Sequence, residues 1–250
     1  MYYYVYDEFI QDPKLERELA AIETRLTDLG ISGKIARLAL FRDPTELIRD
    51  EIRKGAKTIV AVGNDATLRK VIDAAEDSDV AISIIPMGAD NRIAEILGIP
   101  SGAAACDILS ARITERLDIG VVNGRRFLHA AFIHANAGAE ILCDELFKIQ
   151  PSKKTVIEIR NLETSDGDVR AANPTDGKLE LVMRSIQRSW FGKKSTFASI
   201  IPVQNAVVKN KALTKVIIDG DEFEGDDFAI SVLPQRINFI TGKGREYANQ

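Results

Sequence analysis

Residues 58–100, TIVAVGNDATLRKVIDAAEDSDVAISIIPMGADNRIAEILGIP, constrain the fold more than any other part of this chain. The apolar run 59–62 stops at Gly63-Asn64-Asp65-Ala66-Thr67, and the apolar run 80–86 stops at Gly88-Ala89-Asp90-Asn91. Short continuous apolar runs bounded by turn residues read as strands buried on both faces, and Asn, Asp and Thr after them are helix starters. Strand, polar turn and helix, repeated in tandem, call for a parallel sheet with right-handed crossovers. Both turns then emerge at the carboxyl edge of that sheet. Helix N-termini there present unpaired N–H groups and positive dipole ends, so a phosphate-bearing ligand is the first expectation.

The same alternation runs through the first half. Residues 2–6 read as a strand. Asp12-Pro13 opens a helix with Leu15, Leu19, Ile22, Leu26 and Leu29 at helical spacing and Gly30 as its stop, 35–41 is a second strand, and 44–54 a second helix. After a helix around 103–112 the pattern changes. Residues 117–122 and 127–135 read as strands around Asn123-Gly124, a strong hairpin signal because both positions tolerate positive φ. Residues 143–149 read as helical. Short strands are then expected at 155–162, 178–184, 197–202, 206–208, 213–218, 228–233 and 237–240, separated by turn residues such as Asp176-Gly177 and Asp219-Gly220. The predicted fold class is α/β: a doubly wound parallel-sheet nucleotide-binding domain over 1–115, an antiparallel β-sandwich domain over 116–240, and a tail over 241–250.

Composition narrows the function. A formal net charge of −4 argues against broad nucleic-acid binding, which needs a basic face. Two cysteines, Cys106 and Cys143, and two histidines, His129 and His134, form no disulfide scaffold and complete no zinc motif; His129 and Cys106 read as core or near-core fillers. No apolar run approaches the roughly 20 residues of a spanning helix, and the start MYYYVYDEFI lacks the features of a signal peptide. A soluble cytoplasmic protein is expected.

The two turns resemble those of the diacylglycerol kinase catalytic-domain family, which includes sphingosine kinases and bacterial lipid kinases and is related to NAD kinases. The family's Gly-Gly-Asp-Gly-Thr turn is here Gly63-Asn64-Asp65-Ala66-Thr67. Its Pro-Leu-Gly-Thr-Gly-Asn-Asp turn is here Pro86-Met87-Gly88-Ala89-Asp90-Asn91-Arg92, with Leu97-Gly98-Ile99-Pro100 closing the next helix. The similarity continues in order through Leu117-Asp118-Ile119-Gly120, Asp176-Gly177-Lys178-Leu179-Glu180, Ile218-Asp219-Gly220-Asp221 and Val232-Leu233-Pro234. The family's Asn-Pro-x-Ser-Gly turn is missing. Asp7-Glu8-Phe9 stands there, placing two negative charges where phosphates come near unless a cation offsets them, and Asp43 sits where the family has a Gly-Asp-Ala turn.

What the resemblance implies is an ATP- and Mg-dependent kinase acting on a hydroxyl of a lipid or lipid-like substrate. Gly63, Asn64, Asp65, Thr67, Gly88 and Asn91 would bind the nucleotide, with Asp65 on metal or phosphate. Asp221, or Asp219 or its neighbours Glu222 and Glu224, would take the proton of the hydroxyl. Each residue also has a plainer role. Asp65 and Asn91 are good helix caps, Thr67 caps as well as it donates, Arg92 suits a solvated helix face, and Asp219-Gly220 suits a hairpin turn. The family's small residues at two positions are here Asn64 and Ala66, which keeps open a catalytically degenerate relative acting as a binding or regulatory protein. Action on a soluble metabolite fits the first motif alone. The patch RSIQRSWFGKKSTF, residues 184–197, with Arg184, Trp190 and Phe197, offers either a peripheral membrane contact or a solvated hairpin. Its partners would be a nucleotide and a lipid, with no nucleic acid, and a homodimer is compatible with the sequence.

Overall fold

The computed structural model describes residues 1–38, 44–75, 78–167, 169–188 and 194–247, the backbone alone for 185–188 and 194–197. The chain forms two compact units, Met1–Leu117 with Arg236–Gln250, and Asp118–Gln235.

The first unit alternates strand and helix: β1 (Tyr2–Tyr6), α1 (Glu16–Asp28), β2 (Lys34–Arg37), α2 (Pro44–Arg53), β3 (Thr58–Gly63), α3 (Asp65–Ala74), β4 (Ala81–Pro86), α4 (Arg92–Ile96) and α5 (Ala105–Ala111), leading into β5 (Thr114–Val122). β1 pairs in parallel with β2 and β3, and β3 with β4. Every residue of β3 and β4 is buried, as their predominantly apolar sequences require. Asp43 lies outside the described residues. Residues 241–247, expected as a tail, are tied down: Gly242 N–H donates to Leu97 O at 2.9 Å and Glu246 N–H to Ile96 O at 3.0 Å, while Tyr247 is buried with its hydroxyl on Glu115.

The second unit is antiparallel. It contains β6 (Arg125–Phe127), β7 (Ala130–Ala135), β8 (Glu140–Cys143), β9 (Phe147–Ile149), β10 (Thr155–Arg160), β11 (Leu179–Arg188), β12 (Lys194–Val203), β13 (Asn205–Ile218) and most of β14 (Asp221–Ile240). β12, β11, β10, β7, β13 and β14 follow one another in the sheet, and the β8–β9 hairpin pairs with β13. Inward-facing Ile133, Ile157, Ile159, Leu181, Val208, Val216 and Phe228 fill its core. Asn123 (φ 48°) and Gly124 (φ 78°) make the expected tight turn between β5 and β6.

Three expectations change. Residues 143–149 form the β8–β9 hairpin rather than a helix. Asp144 and Glu145 adopt left-handed backbone (φ 46° and 58°), and the Asp144 carboxylate accepts from Gln204 N–H at 3.0 Å and Asn205 N–H at 2.7 Å, which pins the turn. The two short strands at 206–208 and 213–218 are one strand, β13, with a register shift between Lys209 and Thr214. Residues 237–240 end β14 but pair in parallel with β4, Asn238 beside Ala81 and Phe239 beside Ile82. Of the 184–197 patch only the Arg184 side chain is described, and it bridges Glu158 and Asp166; Trp190 lies outside the described residues. None of the described helices is long and apolar enough to cross a membrane.

Candidate active site

β3 delivers the first turn. A Cβ on Gly63 would lie 2.3 Å from Thr67 Oγ1 and 3.1 Å from Asp7 Cβ, so the turn closes this tightly only on a residue without one. Asn64 then caps α3: its Oδ1 accepts from Ala66 N–H at 3.1 Å and Thr67 N–H at 3.3 Å, while Thr67 Oγ1 accepts from Asn64 N–H at 3.2 Å. This reciprocal capping box explains both departures from glycine. Asn64 is extended (φ −118°) and Ala66 lies within α3, so neither position calls for left-handed backbone. Asn64→Ala is expected to cost about 1 kcal/mol in urea unfolding, the usual worth of such a cap; a loss below a few tenths would mean the box contributes little.

The second turn is fastened to the first. Met87 N–H donates to Gly63 O at 2.8 Å and Asp65 N–H to Asp90 O at 3.0 Å. Asn91 does not cap α4 with its side chain. The Asp65 carboxylate does so from the other turn, accepting from Ile93 N–H at 3.2 and 3.3 Å. Gly88 is left-handed (φ 71°), and a Cβ there would stand 2.9 Å from the Phe9 ring. Asn91 Nδ2 donates to Gly88 O at 2.9 Å, and its Oδ1 is buried with no partner. Arg92 pairs with Glu95 on the next turn of α4 at 3.6 Å. Gly63, Asn64, Asp65, Thr67, Gly88 and Asn91 thus come together on one edge.

Asp7, at the end of β1, completes this edge. Its N–H donates to Val62 O at 3.0 Å, and its carboxylate accepts from the Thr67 hydroxyl at 2.7 Å and pairs with Lys70 at 3.3 Å. Burial opposes its ionisation, but the Thr67 hydroxyl, the Lys70 ammonium and the Glu8 N–H outweigh burial and hold its pKa below the usual carboxylate value. The cation that offsets Asp7 is Lys70, a residue the sequence motifs do not single out. Its signal is the (i, i+3) spacing from Thr67 on α3, which puts both side chains on one face.

The late acids lie in the second unit. Asp219 (φ 42°) and Gly220 (φ 92°) turn β13 into β14. The half-buried Asp219 carboxylate accepts from the N–H groups of Leu128 at 2.8 Å, Ala130 at 2.9 Å and His129 at 3.1 Å. Loss of water pushes its pKa up, against the pull of those amides. Asp221, the exposed first residue of β14, faces Ile218 across the turn. His129 lies near the core, its side chain one-fifth exposed and its Nε2 2.7 Å from Glu163 Oε2. Cys106 is fully buried, as expected. Among the described residues no three His, Cys, Asp or Glu side chains gather into a metal cage.

Comparison with known proteins places these turns. Residues 7–122 match the model of the diacylglycerol kinase catalytic domain. Over those residues, just under half of its length, the chain is similar to the diacylglycerol kinase catalytic domain. Both turns, and Asp7, fall inside the matched segment. A probable lipid kinase, YegS-like, from Pseudomonas aeruginosa (strain UCBPP-PA14) is 34% identical over 91 residues, 36% of this chain and 30% of that protein. A diacylglycerol kinase from Bacillus subtilis (strain 168) is 27% identical over 120 residues, 46% of this chain and 40% of that one. The matched segments thus span well under half the length of these relatives. In fold, a crystal structure of a diacylglycerol kinase from Bacillus anthracis str. Sterne superposes with a TM-score of 0.78 at 16% identity, covering 97% of both chains. The likeness to a diacylglycerol kinase in fold therefore extends beyond the segment that matches in sequence.

Proposed function

We propose that this protein is a kinase that binds Mg-nucleotide over the Gly63–Thr67 and Gly88–Asn91 turns and transfers phosphate to a hydroxyl of a lipid or lipid-like molecule. The observation that carries this is the fastening of the two turns at the carboxyl end of β3 and β4, with Asp65 between them. Magnesium in phosphoryl-transfer sites is commonly held by one or two carboxylates together with waters and the substrate's phosphates, so the single Asp65 carboxylate suits it without a protein cage. The buried, unpartnered Oδ1 of Asn91 suits a hydroxyl donor of the ligand. Bound magnesium would neutralise charge developing on the phosphates. The chain's own contribution is positional. Gly63 and Gly88 let the backbone come close, Asp65 joins the turns, and Asp221 accepts the proton of the attacking hydroxyl, a role generally worth 10²–10⁴-fold. Asp219 holds the turn that presents Asp221.

One observation favours a second reading, a binding or regulatory protein without turnover. At the start of α3 the N–H groups of Asn64, Asp65, Ala66 and Thr67 and the Thr67 hydroxyl all have intramolecular acceptors, which leaves a phosphate no ready donor there. Calorimetric titration with Mg-ATP separates the outcomes. Binding at submillimolar concentration is expected, weakened about tenfold or more by Asp65→Asn, which keeps an acceptor for Ile93 N–H but removes the charge. Phosphate transfer to a panel of diacylglycerol, sphingoid and glycerol-phosphate lipids completes the test. Binding without transfer leaves the regulatory reading, and no binding at millimolar nucleotide overturns both.

A further inference from the structure

Thr67 has a single hydroxyl proton, and its near acceptor is Asp7 Oδ2 at 2.7 Å, with Asn64 Oδ1 farther off at 3.4 Å. The Lys70 ammonium, on the same face of α3, is drawn to the same oxygen at 3.3 Å. The second oxygen of Asp7 accepts from Glu8 N–H at 2.7 Å, so the carboxylate is fixed on both sides. Its side chain is 13% exposed while that of Lys70 is 43% exposed, which places the anion inside and leaves the cation reaching in from solvent. A hydroxyl and an ammonium converging on one anionic oxygen are the donors that a phosphate oxygen takes.

We propose that Asp7 is a built-in anion occupying the position of a ligand phosphate, and that Thr67 and Lys70 are the phosphate-binding pair it holds in reserve. This rests on the nucleotide-binding reading above and adds to it the residue that sets affinity. Binding is then an exchange. The incoming phosphate accepts the Thr67 hydroxyl's hydrogen bond and pairs with the Lys70 ammonium, and the Asp7 carboxylate gives these contacts up, or stays and repels the phosphate. Either course weakens the ligand, and removing the charge of residue 7 removes the competition. No covalent step is involved.

The test measures Mg-ATP and, separately, inorganic tripolyphosphate by calorimetry on the full chain, with Asp7→Asn, Asp7→Ser and Asp7→Asn/Lys70→Ala. Each single variant keeps one side-chain oxygen, enough for Glu8 N–H or for the Thr67 hydroxyl, and thermal melts check that each is folded. Asp7→Asn and Asp7→Ser are expected to tighten both probes about tenfold or more, the scale of a removed like charge in a partly buried site, and Lys70→Ala is expected to return most of that gain. Wild-type affinity for Mg-ATP in both folded Asp7 variants overturns the proposal and leaves nucleotide binding standing. Tripolyphosphate binding that depends on Asp7, with no binding of nucleotide, sustains the exchange and removes the nucleotide reading. No binding of either probe to any variant overturns both.

Discussion

Asp219→Ala is expected to destabilise the protein by about 3 kcal/mol, because it strips the acceptor from three backbone N–H groups at once. Those of Leu128 and Ala130 belong to buried residues, where an amide that loses its acceptor has no ready access to water. A loss of that size corresponds to a fall of roughly 6–12 °C in melting temperature for a chain of this length. Asp219→Asn keeps one oxygen and is expected to lose about half as much. The pair also separates two roles. If Asp219 only holds the turn, the Asn variant retains phosphate transfer in proportion to its folded fraction. If it takes the substrate proton, the Asn variant is folded and inactive. An Ala variant with an unchanged melting temperature would show that the three amides find other acceptors and that the carboxylate is no clamp.

Gly242→Ala carries the second large effect. A Cβ at this position would stand 1.8 Å from Gly98 O and 2.6 Å from Gly98 C, atoms of the backbone that cannot rotate away. The segment must move off α4, giving up its N–H bonds to Leu97 and Ile96, the burial of Tyr247 and the Arg245–Glu115 ion pair. A cost of about 2–3 kcal/mol follows from overpacking of this kind. Limited proteolysis is expected to release the C-terminal peptide from the variant and spare it in the parent chain. Equal resistance in the two would mean that the backbone accommodates the methyl group.

How far the sequence could be read depends on the range of the forces involved. β3 and β4 were legible because strands buried on both faces are dominated by apolar residues, with Ser83 the one polar residue inside β4, and the Asn123-Gly124 turn because few residue pairs accept its backbone. The placement of 237–240 beside β4 was not legible, since an apolar run does not say which strand it joins. The hairpin at 143–149 was missed for a related reason: Asp144 is held left-handed by amides at positions 204 and 205, far along the chain. At the site, Asp65 and Thr67 were marked by their motif, but what they touch was not. Asp65 caps a helix in the neighbouring turn, and Thr67 answers to Asp7 from another strand, pairings set by the sheet order alone.

The return of the chain after residue 235 has a consequence for how the protein is made. The parallel sheet is opened by residues near the N-terminus, yet the second partner of β4, on the edge away from β3, is supplied by Asn238 and Phe239. Every residue from Asp118 to Gln235 must leave the ribosome before that edge can be covered. Throughout that interval β4 presents its free backbone groups to the cell, so the first half of the molecule waits on the second to finish its sheet.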